Sequence, residues 1–265
     1  RVYMFRGRKI GVILLFAGLV VFLTGCGKTK QETKYYDSDF ITAMETGMEN
    51  RWKLQDNEDK KDEDLTKTDY AKWISTEKKQ VVDYRNKKLK DSKLQELAIT
   101  YINSLDDQKD ALKYFGADDF YDKWEKAYDK RTQAIVAINK IHKIKVPEKY
   151  QSNLDELLGN GKSVNEKVNK DEKVAALLKT IKFNAQPKEY AEDEYTTYTA
   201  EVTNSAGFDI KSFSANVKIK DAAGTTVDTQ YINTENWSNG DKVKFEFTTD
   251  QEVSSYEVIK DYVEY

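Results

Sequence analysis

The sequence predicts an α+β protein of two domains, an N-terminal helical bundle over residues 38–182 and a small antiparallel β-sandwich over residues 183–265. In the first part, apolar residues recur every three or four positions, the spacing of one face of a helix. In the second part, Thr, Val, Tyr and Phe alternate with polar residues, the spacing of a strand with one buried face.

An apolar run over residues 10–23 precedes both parts, and its 14 residues are fewer than the about 20 that a membrane-spanning helix needs. The basic residues Arg6, Arg8 and Lys9 stand before it, and small residues follow it. This is the pattern of an export signal, so residues 1–25 are predicted to be a signal peptide.

The apolar run ends in Leu23, Thr24, Gly25 and Cys26, which contain the only cysteine of the sequence. These four residues resemble the lipobox of bacterial lipoprotein signal peptides. The resemblance implies that the Cys26 thiol receives a diacylglycerol group and that a peptidase cuts before it, which holds the mature protein on the extracellular side of the cell membrane. Two acyl chains make such binding durable, whereas one chain gives only marginal binding. The alternative is a chance cysteine after an ordinary signal peptide.

The charge of the chain bears on its partners. Removal of residues 1–25 takes away four basic residues and no acidic residue, so the formal net charge changes from −3 to −7. Because phosphate binding depends on an excess of clustered Lys and Arg, nucleic acid is not expected as a partner. The composition, rich in Lys, Asp, Asn and Tyr, is similar to that of Gram-positive bacterial proteins.

Residues 26–37 are polar and without periodicity, so they are predicted to form a flexible tether. A first helix follows, capped by Asp37 or Ser38. Its apolar residues recur at every fourth position, and they are Phe40, Met44, Met48 and Trp52. The charged run over residues 55–64 is predicted to be a solvated loop. The second helix contains Tyr70, Trp73, Ile74, Val81 and Tyr84.

Ser92 and Gln95 have the spacing of a capping box and start a third helix, which is expected to end at Gly116. A fourth helix is expected to end before Pro147. Its apolar row consists of Phe120, Trp124, Ala127, Tyr128, Arg131, Ile135, Ile138 and Ile141. The rest of the first domain predicts one or two shorter helices, which gives about five helices with short connections, as in a helical bundle.

In the second domain, turns are predicted at Ala206-Gly207, Ala223-Gly224 and Asn239-Gly240, between antiparallel strands. A segment of this length with such turns is typical of a small, immunoglobulin-like β-sandwich.

Four motifs in this domain follow one another in a particular order. They are Val202-Thr203-Asn204-Ser205, then Phe213 with Val217 and Ile219, then Lys220-Asp221-Ala222-Ala223-Gly224, and then residues 237–245. This order resembles the FxLYD-type extracytoplasmic β-sandwich domain of bacterial lipoproteins, which implies the sandwich fold and no catalytic residues. The sequence has Lys220 where the family has Tyr, and Asn239 where the family has Pro. The helical part is similar to the N-terminal region of small Gram-positive lipoproteins.

Two motifs are candidates for a phosphate-binding or a catalytic site. Residues 159–163, Gly-Asn-Gly-Lys-Ser, lack the glycine that a phosphate-binding loop requires at position 156, so a glycine-containing link between helices is expected. His142 is the only histidine, and without a paired nucleophile it is expected to interact with a helix dipole instead.

No metal site and no cofactor are expected. The acidic residues between Asp56 and Asp64 lack the glycine and the glutamate spacing of an EF-hand, so a solvated loop is favoured over a calcium site. Pairs such as Asp118 and Asp119 do not differ from the charged surface of any helical bundle.

Trp237, in a polar turn, has two interpretations. The favoured one is a lid over the open end of the sandwich, and the other is a contact with a glycan or a protein.

Together these features predict a non-catalytic binding or scaffolding module at the cell envelope, with membrane lipid on Cys26 and an unknown envelope protein or glycan as partners. Two alternatives stay open. One is a cell-wall enzyme, which would show a deep cleft lined by two converging carboxylates and aromatic residues. The other is a ligand-binding lipoprotein associated with a transporter.

Overall fold

The computed structural model describes residues 33–58, 64–188, 190 and 192–265. Within these residues, five α-helices precede six β-strands, and the strands form two antiparallel sheets of three strands each. The predicted α+β class and the order of helices before strands are therefore confirmed. The predicted signal peptide, Cys26 and the first seven residues of the predicted tether lie outside the described residues.

The helices have the following bounds. They are α1 (Asp37–Glu58), α2 (Lys67–Val81), α3 (Ser92–Ala111), α4 (Phe120–Ile141) and α5 (Gln151–Leu178). Single 3₁₀ turns extend or precede them at Val82–Arg85, Leu112–Tyr114 and Glu148–Tyr150. The apolar rows that predicted the first four helices lie in one core, because Phe40, Met44 and Met48 of α1 pack with Leu94 of α3 and Ile135 of α4.

Two helix ends differ from their predictions. The cap of α3 is Asp91, whose carboxylate accepts hydrogen bonds from the backbone N–H of Lys93 and Leu94 at 2.8 and 3.1 Å. Gln95 instead accepts from the backbone N–H of Leu89, so the proposed capping box with Ser92 does not form. In addition, α1 continues to Glu58, and the start of the predicted loop is therefore helical.

The prediction of shorter helices after Pro147 is wrong. A single helix of 28 residues, α5, runs through both Gly159 and Gly161, so the predicted link between helices does not exist. A Cβ atom on Gly161 would lie 2.4 Å from the backbone oxygen of Thr132 in α4, whereas one on Gly159 would meet nothing within 4 Å. Gly161 thus permits a close approach of two helices and does not end one.

Helix α5 belongs to two apolar cores. Leu154 and Leu157 pack into the core of the first four helices, and Val174 and Leu177 pack into the core of the sheets. Residues 162–173, between these two contacts, are mostly exposed. At 1.5 Å per residue the helix is about 42 Å long. By packing, the second part of the molecule therefore begins within α5, before the predicted boundary at residue 183.

The strands have the following bounds. They are β1 (Asn184–Ala185), β2 (Thr196–Thr203), β3 (Ile210–Lys220), β4 (Thr226–Trp237), β5 (Lys242–Thr249) and β6 (Ser255–Glu264). One sheet has the order β1-β2-β5 and the other β4-β3-β6. Gly207, Gly224 and Gly240 have φ angles of +84°, +81° and +87°, so the three predicted turns are confirmed. Apolar side chains of both sheets form one shared core.

Strand β6 was not predicted from the sequence. Its pairing with β3 shifts register between Ser214 and Ala215, so the inward and outward positions change phase in mid-strand. Such a shift removes the simple alternation by which a strand is identified.

The two glycines of α5 provide a matched pair of substitutions. We expect Gly161→Ala to destabilise the protein by about 1 to 3 kcal/mol, because its methyl group would force α4 and α5 apart. We expect Gly159→Ala to stabilise it by about 0.5 to 1 kcal/mol, because alanine restricts the unfolded chain at an open position. Urea unfolding measured by circular dichroism gives both values. Equal stability of the two variants would contradict the close helix contact.

Candidate functional site

A buried charge cluster lies in the core of the helical part. Four helices supply its residues, namely Arg51 of α1, Glu77 of α2, Tyr101 and Gln108 of α3, and Arg131 of α4. Arg51, Glu77 and Arg131 are only 4%, 0% and 1% exposed. Charged side chains are rarely buried to this extent unless they are paired.

Glu77 is the common acceptor of the cluster. Its Oε2 accepts from Nη1 of Arg51 at 2.9 Å, and its Oε1 accepts from Nε of Arg131 at 2.8 Å and from the Tyr101 hydroxyl. Nη1 of Arg51 also donates to Oε1 of Gln108 at 3.1 Å. The carboxylate is therefore bound from three sides by donors of three different helices.

The cluster carries an excess positive charge, because two guanidinium groups face one carboxylate. Burial raises the pKa of Glu77, but the charges of Arg131 and Arg51 outweigh it and hold that pKa below its usual value. Burial and the charge of Glu77 raise the pKa of Tyr101 well above its ordinary value, so its hydroxyl stays protonated. Arginine does not deprotonate in proteins.

The pKa values of the two arginines shift in opposite directions. Burial and the charge of Arg131 lower the pKa of Arg51. Burial also acts to lower the pKa of Arg131, but contact with Glu77 outweighs it and the net shift is upward. Both guanidinium groups lie at ion-pair distance from the one carboxylate, 2.9 Å for Arg51 and 2.8 Å for Arg131, so one positive charge of the cluster is uncompensated.

Two buried donors of the cluster lack an acceptor among the described residues, namely Nη2 of Arg131 and Nε2 of Gln108. Nη2 of Arg131 lies 2.8 Å from Oε1 of Glu77, an ion-pair distance, yet it makes no hydrogen bond there. An unsatisfied buried donor is costly inside a protein, and the cost is larger for a charged group such as Arg131.

A cavity of about 380 Å³ adjoins the buried charge cluster. Its lining residues are Arg51, Trp52, Gln55, Asp56, Leu65, Trp73, Tyr128, Arg131, Asn153, Glu156 and Leu157. The two arginines form its buried end, whereas Asp56 and Glu156 are exposed at the surface. Trp52, Trp73 and Leu157, all buried, provide apolar walls.

Helical spacing explains why these residues share one cavity. Residues three or four positions apart lie on the same face of a helix. The pairs at this spacing are Arg51 with Gln55 and Trp52 with Asp56 on α1, Tyr128 with Arg131 on α4, and Asn153 with Glu156 and Leu157 on α5. Each of these three helices therefore turns one face with polar residues toward the cavity, and α1 and α4 add the aromatic rings of Trp52 and Tyr128.

Trp237, the residue singled out in the β part, is 1% exposed. Its ring packs against Phe213 and Phe245, each with centroids 5.5 Å away, and its Nε1 donates to the backbone oxygen of Asp241 at 2.9 Å. The side chain belongs to the core of the sheets, so in this fold its ring is not accessible to a glycan or a protein.

The other residues considered in the sequence do not join the cavity, with one exception. His142 caps the C-terminal end of α4, where its backbone N–H donates to the oxygen of Ile138 at 2.8 Å. Of the acidic run, Asp56 lines the cavity, and residues 59–63 lie outside the described part. Within the described ranges, no three His, Cys, Asp or Glu side chains lie close enough together to hold a metal ion.

Sequence reasoning missed the buried charge cluster, although a signal was present. Arg131 stands in the apolar row of α4, four residues before Ile135, and Glu77 follows Ile74 by three positions on the buried face of α2. A charged residue at an apolar position of a helix indicates a buried pair. The sequence does not show which residues of other helices complete it.

Comparison of the chain with models of protein families, with curated proteins and with solved structures finds no match. Among the helices of the described residues, none combines the length and the apolar composition needed to cross a membrane.

The role of Glu77 can be tested by Glu77→Gln, which we expect to destabilise the protein by about 3 to 5 kcal/mol, since it leaves two buried guanidinium groups without a counter-charge. The lowered pKa of Glu77 stabilises the fold at pH values above the pKa of an unfolded Glu, and this stabilisation is lost as the pH falls through the folded pKa. The variant should therefore lose part of the acid dependence of unfolding.

Urea unfolding between pH 3 and pH 7 measures both effects. Glu156→Gln is the matched control, because its carboxylate is exposed, and such a change usually alters stability by less than about 0.5 kcal/mol. The same small effect for both variants would contradict a central role of Glu77.

Proposed function

We propose that the chain is an extracellular binding protein, held on the cell membrane by lipid on Cys26, whose helical part binds a small anionic ligand in the cavity. One observation carries this proposal, namely that two buried guanidinium groups with a single carboxylate between them form the buried end of the cavity. A concave site with apolar walls and a few buried polar groups is the usual form of a small-molecule site.

The excess charge favours an anion for a physical reason. A buried charge without a partner costs several kcal/mol, and an anion that enters the cavity would offset part of this cost. Arginine presents a planar set of donors that matches a carboxylate better than a lysine does. Both arginines line the cavity, so a planar cationic group lies at its buried end.

The finer fold is part of the same proposal. The five helices form a bundle, and the two sheets form an immunoglobulin-like sandwich of the FxLYD type. The shared core of the two sheets and the glycine turns at Gly224 and Gly240, where the family motifs lie, support this assignment. In this arrangement the sandwich is a scaffold onto which α5 packs its C-terminal half.

Membrane attachment rests on the residues Leu23, Thr24, Gly25 and Cys26 and on the polar segment that follows them. The ligand-binding part then works outside the cell, at the envelope. An envelope protein or glycan is a further partner in this proposal. Tyr231 and Tyr262, 55% and 54% exposed on the outer face of the sheet β4-β3-β6, are aromatic residues that such a partner can contact.

A cell-wall enzyme is the second candidate, because the cavity carries the carboxylates of Asp56 and Glu156 beside aromatic residues. Both carboxylates are exposed, however, whereas a general acid that works near neutral pH is typically a buried carboxyl group. The cavity therefore supports binding better than catalysis. Release of soluble fragments from purified peptidoglycan, lost in Asp56→Asn, would instead identify the enzyme.

Membrane attachment predicts that the chain expressed in a Gram-positive host carries an acyl label and begins at Cys26. Cys26→Ala should carry no label and should keep residues 1–25, because the thiol is the acceptor of the diacylglycerol. Metabolic labelling with a fatty-acid analogue and mass spectrometry of the N-terminal peptide measure both. An unlabelled wild-type chain would contradict the lipid anchor.

Anion binding predicts that benzoate stabilises the protein and that benzamide, its neutral analogue, does not. At ten times its dissociation constant, benzoate should raise the free energy of unfolding by about 1.4 kcal/mol. Urea unfolding in each additive measures the difference. Asn153→Phe, which fills the cavity from α5, should abolish the effect of benzoate. Equal effects of benzoate and benzamide would contradict an anion site.

A further inference from the structure

The two ends of the cavity carry opposite charges. Its buried end carries the positive charges of Arg51 and Arg131, and its exposed end carries the negative charges of Asp56 and Glu156. Oδ2 of Asp56 accepts from the hydroxyl of Tyr150 at 3.1 Å, and that hydroxyl accepts from Nζ of Lys149 at 2.9 Å, so Glu156 is the carboxylate of this end without such a cation among its contacts with the described residues. A ligand that spans the cavity therefore meets opposite charges at its two ends.

Tyr128 is influenced by charged residues from both ends of the cavity. Burial raises the pKa of Tyr128, Arg131 and Arg51 lower it, and Glu156 raises it, so its hydroxyl lies within electrostatic reach of both sides. Both ends belong to one cavity of about 380 Å³, a volume that suits a small molecule.

We propose that the cavity binds a small zwitterion, an amino acid or a short peptide, with its carboxylate at Arg51 and Arg131 and its ammonium group at Asp56 and Glu156. This inference rests on the proposed function, because it names the ligand class of the same cavity.

The walls of the cavity fit such a molecule. Trp52, Trp73 and Leu157 offer apolar surface to a ligand side chain, and the amide groups of Gln55 and Asn153 can pair with a peptide group. The volume of about 380 Å³ lies in the range of small-molecule sites.

Charge also distinguishes a zwitterion from a simple anion. The buried charge cluster has one excess positive charge, which matches a carboxylate and is exceeded by a phosphate dianion. The carboxylates of Asp56 and Glu156 would repel the second charge of a dianion and attract an ammonium group. A molecule with both a carboxylate and an ammonium group satisfies both ends at once.

Three related probes separate the two charges, namely the dipeptide alanyl-phenylalanine, its C-terminal amide and its N-acetyl form. The amide lacks the carboxylate and the N-acetyl form lacks the ammonium group. Calorimetric titration of the lipidated chain in detergent micelles should show the dipeptide binding most tightly. We expect the amide to bind at least about tenfold more weakly, because the loss of a charged partner at a buried site costs more than about 1.4 kcal/mol. The N-acetyl form should lose less, about threefold to tenfold, because exposed charges are screened.

Substitutions at the exposed end test the inference without altering the core. The double variant Asp56→Asn, Glu156→Gln should bind the dipeptide and its N-acetyl form equally. Asp155→Asn is the matched control, since Asp155 is exposed next to Glu156 but does not line the cavity. This control should keep the wild-type preference, and circular dichroism verifies that each variant is folded.

The outcomes distinguish this inference from the function on which it rests. Two results would overturn the proposal of a zwitterionic ligand while the proposal of anion binding stands. One is that the wild type binds the N-acetyl form as tightly as the dipeptide. The other is that the double variant still binds the dipeptide more tightly than the N-acetyl form. If the amide binds as tightly as the free acid, the arginines do not hold a carboxylate. If the wild type binds neither the three probes nor benzoate, both the inference and the proposed cavity function fail.

Discussion

The carboxylate of Glu77 is the group on which the arrangement of the first four helices depends. It is fully buried, and its hydrogen bonds reach Arg51 of α1, Tyr101 of α3 and Arg131 of α4. A shift of α1 or α4 by one turn would leave a buried charge unpaired, at a cost of several kcal/mol, and a shift of α3 would leave the Tyr101 hydroxyl without its acceptor. Apolar contacts tolerate such shifts more easily, since they lack direction. The cluster therefore specifies the register of the helices as well as contributing to their stability.

Two glycines place the helices around this group. A Cβ atom on Gly47 would lie 2.9 Å from the backbone oxygen of Glu77, and Gly47 stands one turn before Arg51 on α1. Gly161 makes the corresponding approach of α5 to Thr132, the neighbour of Arg131 on α4. Each close contact therefore lies beside one of the two arginines. Together they bring α1 and α5, which carry Asp56 and Glu156, to the same cavity.

The sequence predicts what depends on local pattern and misses what depends on contacts between elements. The apolar row with Phe40 and Met44 predicts α1, and the turn at Gly240 is predicted because a positive φ favours glycine. By the same reasoning Gly161 looks like a break, because its close contact with Thr132 is visible only in the folded chain. The pairing of Arg51 with Glu77, 26 residues apart, is likewise a tertiary contact, so the candidate site could not be located from the sequence.

The same excess charge links the stability of the helical part to its proposed ligand. Replacing Arg51 by an apolar residue of similar size would leave Glu77 paired with Arg131 and remove the uncompensated charge, so the fold has no need of two arginines for neutrality. A charge that costs stability and is kept at the end of a cavity favours a role in binding, since functional sites often sacrifice stability. The acidic residues at the exposed end take no part in the buried charge cluster, although Asp56 accepts a hydrogen bond from the buried Tyr150. In the proposed binding mode, Arg51 and Arg131 thus serve both the helix register and the ligand carboxylate, whereas the ammonium group meets residues outside the buried charge cluster.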